Sequence, residues 1–327
     1  MMKVIDSSTN LSDIPKGCVL TIGNFDGVHI GHQEILIVAK RIAAQKALEL
    51  IVMTFQPHPV TILQPKKTCE ILTPLVLKKH LLAEFGADCL FVLKSSPELL
   101  SLSPHDFVQQ FLVKNIQPNV VVEGENFKFG SGRRGNIHTL YNLGIEKGFE
   151  VIAIESKAAK LSIGRSVIVS STMIRNMLES GRVADAAIAL ARPYRLIGPV
   201  VPGRGKGKKL GFPTLNLENS QQLVPAEGVY AGTVELADSI KEVCGERERI
   251  PAVFSIGRTE TYGSNYPLAI EAHLLINNAE QFTGRWMAMG FIERIRGQQK
   301  FETDKELSKQ IAKDCEKAKQ ILTTESF

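Results

Sequence analysis

Short apolar runs alternate with longer amphipathic stretches over the first half of the chain. The apolar runs predict strands at 19–25, 49–55, 89–93, 119–123 and 150–155. Helical patterns lie between them near 31–47, 74–85, 104–116 and 136–148. Continuous apolar strands separated by helices predict a parallel sheet that is covered on both faces. Residues 1–185 are therefore expected to form an open α/β layer fold.

The pattern changes in the second half, where strand-like runs are separated by turns rich in Pro, Gly and Asn. These runs begin at 194, 228, 249, 268 and 285, and no helical pattern lies between them, which predicts a small antiparallel barrel. One helix is expected at 304–322, with Thr303 and Glu306 as its capping box. One face of this helix is apolar and should pack on the barrel; it consists of Leu307, Ile311, Cys315, Ala318 and Leu322. The second domain is placed at 186–327.

Composition narrows the classes of protein without choosing one. Hydrophobic residues make up 44% of the 327 residues and charged residues 22%, as in ordinary globular proteins. The five cysteines are scattered without CxxC spacing, so neither a disulfide framework nor a cysteine zinc site is expected. Without an apolar run of membrane-spanning length or a signal core, the predicted location is the cytoplasm. The mild net charge of +5 favours small anionic ligands over nucleic acid.

The loop after the first predicted strand, IGNFDGVHIGH at 22–32, is the first candidate site. Glycines at 23, 27 and 31 let backbone N–H groups approach a ligand, and the following helix start favours an anion. His29 and His32 at the helix start could donate to a phosphate oxygen as charge develops on it. A solvated turn with capping histidines is the alternative. Zinc is disfavoured because no third ligand lies at a suggestive spacing.

The segment GRGKGKKLGFPTLN at 203–216 is the second candidate site. Its alternating glycines and lysines, including Gly205 and Lys208, suit a polyphosphate, although a solvated basic turn has the same composition. Thr214 and Asn216 offer a hydroxyl and a carbonyl oxygen, which are hard ligands suited to Mg²⁺. Taken alone, PTLN is an ordinary turn.

Four motifs in order across the first half resemble the adenylyltransferase module of bacterial FAD synthetases. They are GNFDGVHIGH, TFQPHP at 54–59, GENFKFG at 124–130 and SSTMIR at 170–175. The resemblance implies a Rossmann-like nucleotidyltransferase fold with His29 and His32 as catalytic residues. It implies further a set that binds ATP phosphates, namely Gly23, Phe25, Gly31, Ser171, Thr172 and Arg175, and a flavin-binding set, namely Pro57, His58, Asn126 and Phe127. The family often has Asp where Asn126 stands, and Asn136 is given no role.

The second half resembles the riboflavin kinase module over most of 190–320. The similarity is carried by ARPYRLIGPVVPGRGKGKKLGFPTLN, EGVYAGTVEL and LAIEAHLL. It implies that Glu271 is the catalytic base, that Thr214 and Asn216 hold Mg²⁺, and that Gly205 and Lys208 bind ATP phosphates. The chain departs from the family pattern at three residues that the resemblance places on the flavin side, Ser255, Glu260 and Thr283.

Together the two resemblances imply a bifunctional enzyme of flavin cofactor synthesis. Its second domain would phosphorylate riboflavin with ATP and Mg²⁺, and its first domain would transfer AMP from ATP to FMN, giving FAD and pyrophosphate. The expected partners are these small molecules, with no nucleic acid and no membrane. Two alternatives stay open: a paralogue that retains one activity, and a flavin-binding regulator without turnover.

Overall fold

A computed structural model describes residues 2–6, 11–65, 70–162, 164–203, 205–218, 221–258, 268–276, 282 and 285–324. The chain divides into two compact units. The first comprises Met1–Ala159 and Val167–Ser170, and the second comprises Lys160–Ser166 and Ser171–Phe327. The boundary that the sequence predicts between 185 and 186 lies within a helix of the second unit and stays a prediction.

The first unit contains a six-stranded parallel sheet. Its strands are β1 Lys3–Asp6, β2 Val19–Ile22, β3 Leu50–Gln56, β4 Cys89–Lys94, β5 Val120–Gly124 and β8 Glu150–Ile154, and their order is β1-β4-β3-β2-β5-β8. A short antiparallel pair, β6 Lys128–Phe129 and β7 Gly135–Asn136, follows β5. The chain runs from β2 outward through β3 to β4 and then returns to the other side of β2 with β5. In such sheets ligands bind at this switch point, outside the carboxyl ends of the strands.

Helices cover both faces of the sheet, as the alternating pattern predicts. On one face α1, Ile30–Lys46, packs Ala39, Ile42 and Ala43 against β2 and β5. The other face is covered by α5, Pro104–Phe107, by its π-helical continuation Val108–Ile116, and by α6, Ile137–Lys147. The remaining helices of this unit are α2 Pro59–Leu63, α3 Leu75–Glu84 and α4 Pro97–Ser101, with 3₁₀ turns at Leu11–Asp13 and Ser131–Arg133. Ser103 caps α5, since its hydroxyl accepts the Asp106 N–H at 3.1 Å.

The second unit is built around a closed six-stranded barrel. Its strands are β11 Tyr194–Val201, β12 Leu215–Leu217, β13 Gly228–Ala237, β14 Ile250–Gly257, β15 Ala269–Leu274 and β16 Trp286–Arg296. They close in the order β11-β12-β15-β14-β13-β16, and all the pairings are antiparallel. The rings of Tyr230 and Phe254 each meet the Phe291 ring edge to face in the core, with centroids 5.4 and 5.0 Å from it.

Outside the parallel sheet and the barrel, a two-stranded ladder pairs β9 Ala158–Lys160 with β10 Ser166–Ile168.

The last helix, α11 Asp304–Thr324, packs on the outside of the barrel as predicted. Cys315, Ala318 and Leu322 are buried against Val229 and Ala231 of β13. Thr303 caps the helix by accepting the Glu306 N–H at 3.2 Å. The unit also contains α7 Ser171–Glu179, α8 Val183–Leu190, α9 Lys206–Lys209 and α10 Ile240–Val243. No helix in the described ranges is long and apolar enough to cross a membrane.

Candidate functional sites

The loop between β2 and α1 brings three predicted site residues together. His29 caps α1, and its Nδ1 accepts the His32 N–H at 3.4 Å. The two imidazole rings stack with centroids 3.7 Å apart, and the Phe25 ring meets His32 edge-on at 5.2 Å. Capping and ring stacking hold both histidines in one orientation at the positive end of the α1 dipole, where a developing negative charge is stabilised.

The backbone of this loop is compact because its glycines leave room for rings. A Cβ on Gly31 would lie 3.2 Å from the His29 ring, and a Cβ on Gly23 would lie 3.2 Å from the Phe25 ring. Phe25 and Val28 have φ angles of 46° and 40°, which L-residues rarely adopt. Residues held in this region cost of order 1–3 kcal/mol each and require support from their surroundings.

A buried polar network that the sequence reasoning missed supplies that support. The Asp26 carboxylate is 2% exposed and accepts the Leu72 and Thr73 N–H groups at 3.0–3.1 Å. Lys78 is 5% exposed and donates its ammonium to the Asn24 carbonyl at 2.6 Å. Burial lowers the pKa of Lys78, and the nearby Asp26 charge opposes this shift. Lys78 lies on the buried face of α3 with Leu77, Leu81 and Leu82. A lysine at an apolar position of this helix is the sequence feature that could have indicated the network.

Glu123 on β5 is a second buried group that the sequence reasoning passed over. Its carboxyl accepts the Ile22 N–H and, at 3.4 Å, the Thr21 hydroxyl, both from the end of the neighbouring β2. The backbone pairing of β2 with β5 covers Val19 and Leu20, so the Glu123 side chain continues the connection past the last paired residues. Burial raises the pKa of Glu123 well above its usual value.

The predicted flavin-binding residues lie at the carboxyl ends of β3 and β5, the two strands beside β2. Pro57 follows a cis peptide bond after β3, and His58 caps α2 by accepting the Val60 N–H at 3.2 Å. Beyond β5, Asn126 is exposed and the Phe127 ring stacks on Phe129 with centroids 5.4 Å apart. Parallel neighbouring strands end at one sheet edge, so these residues share the edge of the His29 loop. Asn136 has a structural role, because its side chain caps α6 through the Thr139 N–H at 3.0 Å.

The predicted phosphate-binding residues of SSTMIR lie in the second unit. Ser171 and Thr172 are the first two residues of α7, and Arg175 follows one turn later with its side chain half-buried. The helix packs Ile174, Met177 and Leu178 into this unit. Their contact with ATP stays a prediction.

In the barrel, the predicted base and a predicted metal ligand are cross-strand neighbours. Glu271 at the centre of β15 pairs with Asn216 on β12 and with Ser255 on β14. Side chains alternate along β15, because Ile270, Ala272 and Leu274 are buried while Glu271 and His273 are partly exposed. Glu271 is therefore flanked in the sheet by a residue with an amide side chain, Asn216, and by one with a hydroxyl, Ser255. Of the family departures, Ser255 lies beside Glu271, whereas Glu260 and Thr283 are outside the described residues.

Two glycines of the basic segment pack directly against Thr214 and Asn216. A Cβ on Gly203 would lie 2.1 Å from the Asn216 amide nitrogen. A Cβ on Gly207 would lie 2.4 Å from the Phe212 carbonyl oxygen and 3.4 Å from the Thr214 hydroxyl oxygen. Gly205 caps the single turn α9 with a φ of 71°, and Lys208 is an exposed residue of that turn. The segment is thus a tight turn against the GFPTLN backbone.

The donor set around Thr214 suits Mg²⁺ carried with a phosphate ligand. A hydroxyl and an amide oxygen are hard donors, and Glu271 is the cross-strand neighbour of the amide. Magnesium commonly takes few protein ligands and completes its shell with water and substrate phosphates. Within the described part of the chain, no group of three or more His, Cys, Asp or Glu side chains is placed to hold a metal ion. The residues present fit a magnesium ion that is held jointly with ATP.

Comparison with known proteins also finds two successive parts in the chain. A family model described as FAD synthetase matches residues 11–172, and one described as riboflavin kinase matches residues 190–322. The bifunctional riboflavin kinase/FMN adenylyltransferase of Escherichia coli K12 is 34% identical over 96% of both chains. This chain belongs to that family. The enzyme of that name from Bacillus subtilis is 34% identical over 92% of this chain and 91% of its own.

Family membership confirms the fold, the enzyme class and the two-part organisation predicted from the motifs. Among solved structures, one titled as a macrolide-efflux protein from Streptococcus pneumoniae matches with a TM-score of 0.83 and 28% identity. It covers 97% of this chain and 99% of its own. The same succession of a parallel-sheet unit and a barrel unit is therefore found over the full length of another protein. The roles of individual site residues stay predictions.

Proposed function

We propose that the enzyme converts riboflavin to FMN in its barrel unit and FMN to FAD in its parallel-sheet unit, with ATP as the donor in both reactions. One observation carries the proposal: each unit contains its own pair of candidate reactive residues. The first has stacked His29 and His32 at the start of α1, and the second has Glu271 in register with Asn216. Cytoplasmic location is part of the proposal, and the four described cysteines, all buried free thiols, are consistent with it.

In the first unit, the phosphate of FMN attacks the α-phosphorus of ATP and pyrophosphate leaves. No covalent enzyme intermediate is required, so catalysis depends on position and charge stabilisation. His29 and His32 donate to the transferring phosphate, whose approach is allowed by Gly23 and Gly31. Phe25 lines the ATP side, while Pro57, His58, Asn126 and Phe127 lie toward the flavin.

In the second unit, Glu271 accepts the proton of the primary hydroxyl of riboflavin as that oxygen attacks the γ-phosphorus of ATP, and ADP leaves. A hydroxyl is a poor nucleophile, so a carboxylate within reach of its proton is useful as a base. Thr214 and Asn216 hold Mg²⁺, which when bound offsets charge on the ATP phosphates. The turn containing Gly205 and Lys208 covers the phosphates, mainly with its backbone N–H groups.

One pair of variants can separate the two reactions, the formation of FMN and the formation of FAD. Purified enzyme is given riboflavin or FMN with ATP and Mg²⁺, and the flavins are resolved by chromatography. His32→Ala should reduce FAD formation about 10²-fold or more, the usual loss for one oxyanion donor, and leave FMN formation unchanged. Glu271→Gln should reduce FMN formation, because it removes the proton acceptor with little change in volume, and leave conversion of supplied FMN intact.

The same assay distinguishes the alternatives. Wild-type enzyme that makes only FMN, or FAD only from supplied FMN, would be a paralogue with one activity, and absence of both products would indicate a flavin-binding regulator. Loss of both activities in His32→Ala, or a wild-type kinase rate in Glu271→Gln, would contradict the assignment of these residues.

A further inference from the structure

The GFPTLN segment is attached to β15 through a side chain where backbone pairing stops. The ladder between β12 and β15 pairs Leu215 with Ala272 and Asn216 with Glu271. Two residues before this ladder, Pro213 has no N–H to contribute. Its carbonyl oxygen lies 2.8 Å from Nδ1 of His273, which is two residues beyond Glu271 on the same face of β15.

Because a carbonyl can only accept, the Nδ1–H of His273 donates this bond. The donation requires a hydrogen on Nδ1, which excludes the tautomer that carries its only N–H on Nε2. Thr214 is consequently held from both sides, by the Pro213 carbonyl before it and by the paired Leu215 after it. The hydroxyl proposed to bind Mg²⁺ is thus placed by His273 without touching it.

The His273 imidazole also contacts Phe212, the residue before Pro213. The rings of His273 and Phe212 meet edge to face at 5.4 Å with an interplanar angle of 79°. The N–H of Phe212 in turn donates to the Gly207 carbonyl at 2.9 Å, which joins the basic turn to the same backbone. A half-buried histidine therefore has contacts that lead to both the metal ligands and the phosphate turn.

We propose that His273 is the positioning residue of the kinase site, and that it orients Thr214 for Mg²⁺ by holding the Pro213 carbonyl. The inference rests on the proposed kinase function. Groups that orient metal ligands from behind usually change metal affinity or activity by about 10–100-fold when removed. The contact lies between residues 60 positions apart in sequence, and neither motif alone indicates it.

The test is a series of three substitutions at His273 in the full-length enzyme. In His273→Asn the amide nitrogen occupies nearly the position of Nδ1 and keeps the donor. In His273→Gln the nitrogen is displaced by one bond length, and in His273→Ala it is lost. Each variant is assayed for FMN formation against Mg²⁺ concentration, and for binding of ADP with Mg²⁺ by calorimetry. Conversion of supplied FMN to FAD and the thermal midpoint report on folding.

His273→Ala should raise the Mg²⁺ concentration for half-maximal rate, and the Kd for ADP with Mg²⁺, by about 10-fold or more. His273→Asn should recover most of this loss and His273→Gln little of it. Wild-type Mg²⁺ dependence in His273→Ala would overturn the proposal, as would equal impairment of folded Asn and Gln variants. If His273→Ala does not fold, the comparison of Asn with Gln decides. A wild-type enzyme without kinase activity would instead refute the proposed function, and the ADP measurements would still test the role of His273.

Discussion

Replacement of Gly207 by alanine tests the geometry of the kinase site with a single methyl group. The added Cβ would lie 2.4 Å from the Phe212 carbonyl oxygen, which is backbone and cannot rotate away. Its φ is not in the left-handed region, so alanine suits the local backbone. Alanine is also favoured over glycine in helical turns by about 1 kcal/mol. Any loss of activity would therefore come from the collision and not from the turn itself.

The size of the effect follows from the distance. Real Cβ atoms essentially never approach below 3.0 Å, so the turn and the Phe212 carbonyl must separate by at least 0.6 Å, the difference between 3.0 and 2.4 Å. Phe212 is two residues before Thr214, so this movement is transmitted to the proposed metal ligand and to the phosphate turn. A displacement of about 1 Å can cost about 10²-fold in rate, and we expect a loss of about 10–100-fold in kcat/KM for ATP.

The assay measures FMN formation against ATP concentration in Gly207→Ala and in a matched control, Gly297→Ala. At Gly297 the added Cβ would find its nearest atom, in Arg294, at 3.9 Å, which is ordinary contact. The control should keep the wild-type rate, and both variants should convert supplied FMN to FAD normally. A folded Gly207→Ala enzyme with wild-type kcat/KM would refute the reasoning, because it would show that the turn moves without cost to the site.

Two further predictions concern stability. The pKa of Glu123 is raised in the fold, so its stabilising contribution is complete below about pH 4.5, the unfolded value, and is lost as the pH rises through the folded pKa. Glu123→Gln keeps an acceptor for Ile22 and Thr21, and the unfolding free energy of wild type should fall relative to it above that pH in denaturant titrations; a pH-independent difference would contradict this. A fragment 171–327 should unfold at a higher temperature than 186–327, which cuts α8, Val183–Leu190, and lacks α7; equal midpoints would favour the sequence-based boundary.

The fold was predictable where the sequence pattern is long and regular. Five of the six strands of the parallel sheet, five of the six barrel strands and α11 were expected near the residues where they lie, because their burial patterns repeat along the chain. One strand of the parallel sheet and one strand of the barrel were missed. β1, Lys3–Asp6, is a four-residue edge strand with one buried side chain, and β12, Leu215–Leu217, is a three-residue strand inside a motif that resembled a turn. Elements this short take their structure from the partner strand and not from a local pattern.

The candidate sites were predictable to the extent that glycines encode close approach. A side chain at position 31 would be crowded by the His29 ring, and a side chain at position 203 would collide with the Asn216 side chain. A glycine near a candidate site residue in the same motif therefore indicates, from the local sequence, that the two residues pack closely. Each of these motifs therefore contains both the candidate site residue and the glycine that makes room for it.

The residues that support the motifs from elsewhere in the fold cannot be recognised from the local sequence in this way. Lys78 and the Asn24 carbonyl that it holds are 54 positions apart, Glu123 and Ile22 are 101 apart, and His273 and Pro213 are 60 apart. Each contact brings a polar side chain to a backbone group at the edge of a motif, and backbone groups are identical in every sequence. A single sequence can therefore show that Lys78 is a charge at an apolar helix position, but not which carbonyl it satisfies. The candidate site residues are recognisable from their motifs, whereas the residues that hold the motifs in place become visible only when the fold brings distant positions together.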